Sequence, residues 1–183
     1  MGEIVSRVGP CRLEVDRRLG PFAYLIAAIV HQQITGKAAA SICRRLCQLN
    51  RGRWPRPEQI EAASDAELRA CGLSRQKVAY LRDLAARVRN GLPLHRLGHR
   101  TNDEVIEALT SVKGIGRWTA EMYLMFRLGR PDVLPVDDLG VRKAMQKAWG
   151  KRALPKPDWM RQTAEPWRPW RTVASWYLWR SLG

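Results

Sequence analysis

Acidic side chains are scarce in this chain of 183 residues: 17 Asp and Glu stand against 32 Lys and Arg, a formal net charge of +15. That imbalance excludes an acidic or charge-balanced surface and calls for a polyanionic partner, either nucleic acid or an anionic membrane face. Long apolar runs are lacking too. The longest, Phe22 to Val30, is about half of the ~18 residues that a membrane span needs, and His31, Gln32 and Gln33 follow it, so it reads as a buried helix. No signal peptide is visible; Met1 to Ser6 match the N-myristoylation pattern only formally, and so short a pattern arises often by chance. Cysteine is limited to Cys11, Cys43, Cys47 and Cys71, with no Cys-x-x-Cys pair, and the three histidines are scattered. Zinc ribbons and thiol redox motifs are thereby excluded, and a reduced compartment is the natural setting. The expected location is intracellular, cytoplasmic or nucleoid-associated, with no membrane contact.

Alternating apolar and polar runs, repeats and low-complexity segments are also missing, whereas helical spacing recurs along the chain. Phe22, Leu25, Ile26, Ile29 and Val30 form one apolar face; Ala39, Ile42, Leu46 and Leu49 form the next after Gly36. Arg51 to Pro57 reads as a loop. Ser64-Asp-Ala-Glu67 and Thr101-Asn-Asp-Glu104 are capping boxes that open helices, and Ser74 opens another. Further helices are expected over about 117–128, 138–149 and 171–182, with Pro155, Pro157, Pro166 and Pro169 breaking up the stretch before the last. The fold class is all-α: one domain, 1–183, of two small helical lobes around a cleft, roughly 20–110 and 111–183 with the N-terminal segment.

Two segments carry chemistry. In Lys113-Gly114-Ile115-Gly116-Arg117-Trp118-Thr119-Ala120, one helix ends and another begins across two glycines. Glycine lets backbone approach a ligand. The amides that open a helix lie at its positive end, which suits a DNA phosphate. Ile115 should pack down between the helices. A plain helix–turn–helix connection is the simpler alternative. In Leu134-Pro135-Val136-Asp137-Asp138-Leu139-Gly140-Val141, paired carboxylates start a helix; taken alone, they suit an ordinary N-cap.

Together these segments resemble the helix-hairpin-helix DNA glycosylase superfamily, and most closely its alkylation-repair branch, the 3-methyladenine DNA glycosylase II type. Ile29 to Ala39, Gly72 to Lys77 and Trp167 to Arg180 extend the likeness, in order, over about residues 20–182. The resemblance implies a helix-hairpin-helix DNA-binding motif and a catalytic aspartate at Asp138, with Asp137 outside the catalytic set. It implies a base pocket of Gln32, Trp118, Met122 and Trp179, and DNA contacts from Gln33, Thr35, Lys37, Lys113, Gly114, Ile115, Gly116 and Thr119. Gln33 falls where relatives insert a wedge into the gap left by a flipped base; a helix C-cap is the other reading. Strand-cleaving members carry a lysine where this chain has Trp118, so base removal without lyase chemistry is implied. Members with an iron–sulfur cluster carry four cysteines near the C-terminus, and this sequence has none after Cys71. No metal or cofactor is expected, apart from a monovalent cation that the hairpin carbonyls are able to hold. The additional N-terminal domain of some relatives is not expected within these 183 residues. The implied partner is double-stranded DNA with alkylated bases, bound by a monomer.

The mechanism follows from the bond. Cleaving an N-glycosidic bond develops positive charge on the sugar, which a carboxylate stabilises while it orients water. A 3- or 7-alkylated purine is already cationic and leaves without an acid, once flipped out of the duplex. Aromatic pocket walls favour such a cation. Trp149, Trp159, Trp167, Trp170 and Trp176 are expected in the core. The alternatives are a non-catalytic helix-hairpin-helix DNA-binding module, a glycosylase for oxidised or mismatched bases, and a basic structural protein.

Overall fold

The computed structural model describes residues 1–183 and contains helices and no strand. In chain order the α-helices are α1 (Gly2–Val8), α2 (Pro21–His31), α3 (Gly36–Leu49), α4 (Pro57–Ala62), α5 (Asp65–Ala70), α6 (Arg75–Arg89), α7 (Asn102–Thr110), α8 (Arg117–Met122), α9 (Leu139–Ala148), α10 (Pro157–Thr163) and α11 (Arg171–Arg180). Short 3-10 turns cover Leu94–His99 and Glu165–Trp167, and α8 runs on into a π-helical turn, Tyr123–Arg127. None of these helices is long and apolar enough to cross a membrane.

The starts obey the capping chemistry. Ser64 and Thr101 accept from the amides of Glu67 and Glu104, whose carboxylates accept from the Ser64 and Thr101 amides in return. Those bonds hold both exposed glutamates below the usual carboxylate range. Ser74 caps α6, and Asp138 caps α9. Helices α1, α4 and α10 fall in segments from which no helix was expected. Pro57 and Pro157 occupy the first helical position of α4 and α10, where a missing N–H costs nothing.

The helices form two compact units: Arg17–Ala120, and Met1–Asp16 together with Glu121–Gly183. In the first, α6 packs on α4, α2 and α5, and α2 packs on α3. Leu25, Ile26, Ile29, Leu46, Ile60, Leu81, Leu84 and Leu109 are fully buried there, each stabilised by about 1.5–3 kcal/mol relative to exposure. Arg82 donates to the carbonyls of Ile60, Glu61 and Ala63 at 2.6–2.7 Å, closing the end of α4.

In the second unit α11 packs on α9 and α1. Its core gathers Ile4, Val136, Val141, Met145, Met160, Trp176 and Leu178. The Tyr177 hydroxyl donates to Gly9 O at 2.9 Å, tying the N-terminal segment to α11. Trp176 lies in the core as expected, and Trp159 and Trp167 pack against its edge. Trp149 falls short of the expected burial: it is 37% exposed, with its ring edge-on to Trp159 and tilted against Trp167. Trp170 departs from the expectation: it is 60% exposed. It sits at the N-cap of α11, ahead of the buried face that begins at Thr172.

Candidate active site and nucleic-acid interface

The unit that holds α9 and α11 contains the candidate carboxylate. Asp138 is 9% exposed. Its Oδ1 accepts from the Val141 amide at 2.7 Å and from the Trp179 indole N–H at 2.8 Å. Two donors on one oxygen fix the rotation of the carboxylate. Trp179 is in turn backed by Phe126, 5.9 Å between ring centroids, from the π-helical turn. Gly140 makes this arrangement fit. A Cβ there would meet Trp179 Cδ1 at 2.8 Å, Trp179 Nε1 at 3.1 Å and Asp138 Oδ1 at 3.1 Å. Neighbouring Asp137 is exposed and Leu139 is 52% exposed, an apolar side chain beside the carboxylate. Met122 is partly buried.

The hairpin belongs to the other unit. Ile115 packs down as expected, 3% exposed. The two glycines act differently. Gly114 has φ +82°, and a Cβ there would lie 2.2 Å from the Tyr80 ring, so both conformation and space demand glycine. A Cβ at Gly116 would meet nothing within 4 Å, which leaves that approach open to a ligand. The Lys113 amide donates to Asp83 Oδ2 at 2.8 Å. Burial pushes the Asp83 carboxyl up, but the Lys113 amide and Arg87 outweigh it and hold it below its usual range. Trp118 is 45% exposed, whereas Thr119 is buried and has little surface for a phosphate.

The turn between α2 and α3 lies in the same unit. Gln32 is the C-cap of α2, and its Nε2 donates to Gly114 O at 2.8 Å, linking turn to hairpin. Gln33 follows at φ +58°, a left-handed conformation that costs a non-glycine residue about 1–2 kcal/mol. Gln33, Ile34, Thr35, Gly36 and Lys37 are all exposed. Thr35 is the N-cap of α3. The Lys77 ammonium donates to Val30 O at 2.6 Å and Gln32 O at 2.8 Å. Burial lowers its pKa, and the nearby Cys43 thiol opposes that shift.

Sequence reasoning missed Lys77, Tyr80, Asp83 and Gly140. The first three recur every third residue on α6, which resembles a solvated face. The tight neighbour of Gly140 is 39 residues away.

No three His, Cys, Asp or Glu side chains come together as a metal site. Of the hairpin carbonyls, that of Val112 accepts from the Ile115 amide and that of Gly114 from Gln32. Each keeps a second lone pair, so a monovalent cation fits there only as an additional partner.

Residues 26–169 match the HhH-GPD superfamily of base excision DNA repair proteins. The chain is a member of that family, on its 3-methyladenine glycosylase-like branch. It is 40% identical over 164 residues to DNA-3-methyladenine glycosylase 1 of Schizosaccharomyces pombe, an alignment covering 88% of this chain and 72% of that one. A solved structure of the 3-methyladenine DNA glycosylase of that yeast, in complex with abasic DNA, superposes with TM-score 0.82 at 36% identity, over 98% of this chain and 89% of that one. The DNA-3-methyladenine glycosidase of Bacillus halodurans superposes with TM-score 0.90 at 37% identity, over 100% and 83%. Residues 109–120, where α7 ends and α8 begins, and Asp138, which caps α9, both lie within the matched stretch.

Proposed function

We propose that this HhH-GPD protein is a monofunctional DNA glycosylase that releases alkylated purines, 3-methyladenine and 7-methylguanine, from double-stranded DNA as a monomer. The observation that carries the reading is the buried Asp138, with one carboxylate oxygen fixed by the Val141 amide and the Trp179 indole. A carboxylate so held lowers the barrier by facing the positive charge that grows on the sugar, and its rotation needs no reorganisation as the bond breaks. It also orients the water that attacks the sugar. The base leaves as a neutral purine because alkylation had already made it cationic.

The DNA-facing parts follow the chemistry of their surfaces. Lys37, Lys113 and the open approach at Gly116 suit phosphates, and phosphate contacts hold register without reading sequence. The exposed indole of Trp118 and the ring of Trp179 suit an electron-poor base, with Met122 where some relatives have tyrosine. Gln33 is exposed, one residue beyond the C-cap, which leaves its side chain available as the wedge. A cation on the hairpin, when bound, would add positive charge beside a phosphate. With Trp118 in place of the lysine of strand-cleaving members, the product is an abasic site in an intact strand.

The test is base release from dimethyl-sulfate-treated duplex DNA, followed by chromatography. Wild-type protein should liberate methylated purines, and Asp138→Asn should be slower by about 10²-fold or more while binding abasic DNA as well or better. If Asp137→Asn is the inactive variant and Asp138→Asn is not, the assignment is wrong. A protein that binds DNA and releases no base is the non-catalytic module.

A further inference from the structure

Lys77 sits in the first turn of α6, immediately after Arg75 and Gln76, with Ser74 as the N-cap. That is an unfavourable place for a cation, because it faces the positive end of its own helix. The third helical position is also where a capping box takes Glu or Gln; here it carries lysine. Its ammonium forms no ion pair, and its two hydrogen bonds run to Val30 O and Gln32 O, the last carbonyls of α2. The neighbouring Arg82 offers a contrast. It closes the end of α4 in the same manner but also pairs with Asp65, and the turn it supports leads only into α5. Lys77 supports a turn that passes directly into left-handed Gln33 and the exposed segment through Lys37. The residue whose carbonyl it grips, Gln32, reaches with its side chain to Gly114 of the hairpin.

From this geometry we infer that Lys77 is a positioning residue for the wedge: by gripping the end of α2 it holds Gln33 in the strained conformation that enters the gap left by a flipped base. The inference rests on the function proposed above. It makes Lys77 act through Gln33, with no contact of its own to DNA or to the reacting bond.

Five variants test it: Lys77→Met, which keeps an unbranched stem and loses the donors; Lys77→Arg, which keeps a cation with several donors; Gln33→Ala; the Lys77→Met/Gln33→Ala double variant; and Arg82→Met as a capping control. Two readouts are needed on intact duplex DNA. The first is the single-turnover rate of methylated-purine release per folded molecule, measured well below each variant's Tm. The second is the fluorescence of 2-aminopurine placed opposite a tetrahydrofuran abasic analogue, which reports insertion into the gap without any chemistry. Lys77→Met should lose the fluorescence response and slow release by about 10- to 100-fold, the range for a misplaced group. Lys77→Arg should recover most of both. The Lys77→Met/Gln33→Ala double variant should be no slower than the slower single variant. Arg82→Met should lower Tm while both readouts stay at the wild-type level.

A wild-type response from Lys77→Met, or losses from Lys77→Met and Gln33→Ala that multiply independently, would overturn the inference. If Lys77→Met does not fold, Lys77→Gln, with one amide donor group for the two carbonyls, must show a weakened fluorescence response, or the inference fails. A wild-type protein that gives the fluorescence response yet releases no base would sink the proposed function and leave the role of Lys77 standing.

Discussion

Gly140→Ala is the substitution that probes the candidate carboxylate most directly. An added Cβ would stand 2.8 Å from Trp179 Cδ1 and 3.1 Å from both Trp179 Nε1 and Asp138 Oδ1. Carbon–carbon contacts settle near about 3.5 Å, so the indole must retreat by roughly 0.7 Å. Phe126 packs on that ring, with 5.9 Å between centroids, and must adjust with it. The indole-to-carboxylate bond, now 2.8 Å, then stretches beyond the ~3.2 Å limit of a good N–H···O bond. A hydrogen bond to a charged group contributes about 1.5–3 kcal/mol, so the expected loss in single-turnover release of 7-methylguanine is about 10- to 100-fold. Stability falls as well, because the better helix propensity of alanine within α9, about 0.5–1 kcal/mol, only partly offsets the lost bond. The melting temperature should therefore drop by several degrees, at about 2–4 °C per kcal/mol, and the rate is read well below it. Trp179→Phe supplies the internal control, since it removes the N–H and part of the obstructing ring. In that background Gly140→Ala should add little further loss. A Gly140→Ala enzyme within about twofold of wild type, well short of tenfold per 1.36 kcal/mol, would refute the coupling of Trp179 to Asp138.

Three further outcomes follow. Borohydride treatment of the protein on lesion-containing or abasic DNA should trap no covalent adduct; an adduct mapped to any lysine would show lyase chemistry. DNA affinity should fall with salt at a log–log slope of about −0.9 per phosphate contact; Gly116→Ala should weaken binding to all sequences alike with little change in Tm, whereas Gly114→Ala should destabilise the fold itself, because its Cβ would strike the Tyr80 ring. Asp132 accepts from Arg171 at 2.5 and 2.8 Å and from Arg168 at 2.8 Å, which holds its carboxyl below the usual range, the Arg171 bonds contributing most. A lowered carboxylate contributes stability above its unfolded value that is lost as pH falls through the folded one. The wild-type advantage over Asp132→Asn, read by chemical denaturation, should thus be full at neutral pH and shrink below about pH 4.

Much of the fold was legible because its signals are local. The capping boxes at Ser64 and Thr101 use residues three apart, and both formed as read. The apolar spacing of α2 and α3 needs only one helix face. Prolines misled where they were taken as breakers: Pro57 and Pro157 open helices, since a segment too short for clear periodicity gave no competing signal. The candidate site was legible only in its residue types. Asp138 stood out by position, but the reason for Gly140 lies in Trp179, and the reason for Lys77 lies in carbonyls at Val30 and Gln32. Such partners are set by packing between helices, which no periodicity encodes. The five-residue π turn at Tyr123 is likewise silent in the sequence, which reads there as an ordinary helix continuing to Leu128.

The bond from Tyr177 to Gly9 spans 168 positions, and it bears on synthesis. Domains generally fold as units while the chain emerges from the ribosome, and contacts distant in sequence form last. The stretch Arg17–Ala120 is continuous, so it can close as soon as it has been made. Among the N-terminal sixteen residues, Ile4 on α1 has its packing partners on α9 and α11. Helix α1 is made before that stretch and is therefore among the last to dock, and a chain that stops short of Tyr177 leaves Ile4 with nowhere to lodge.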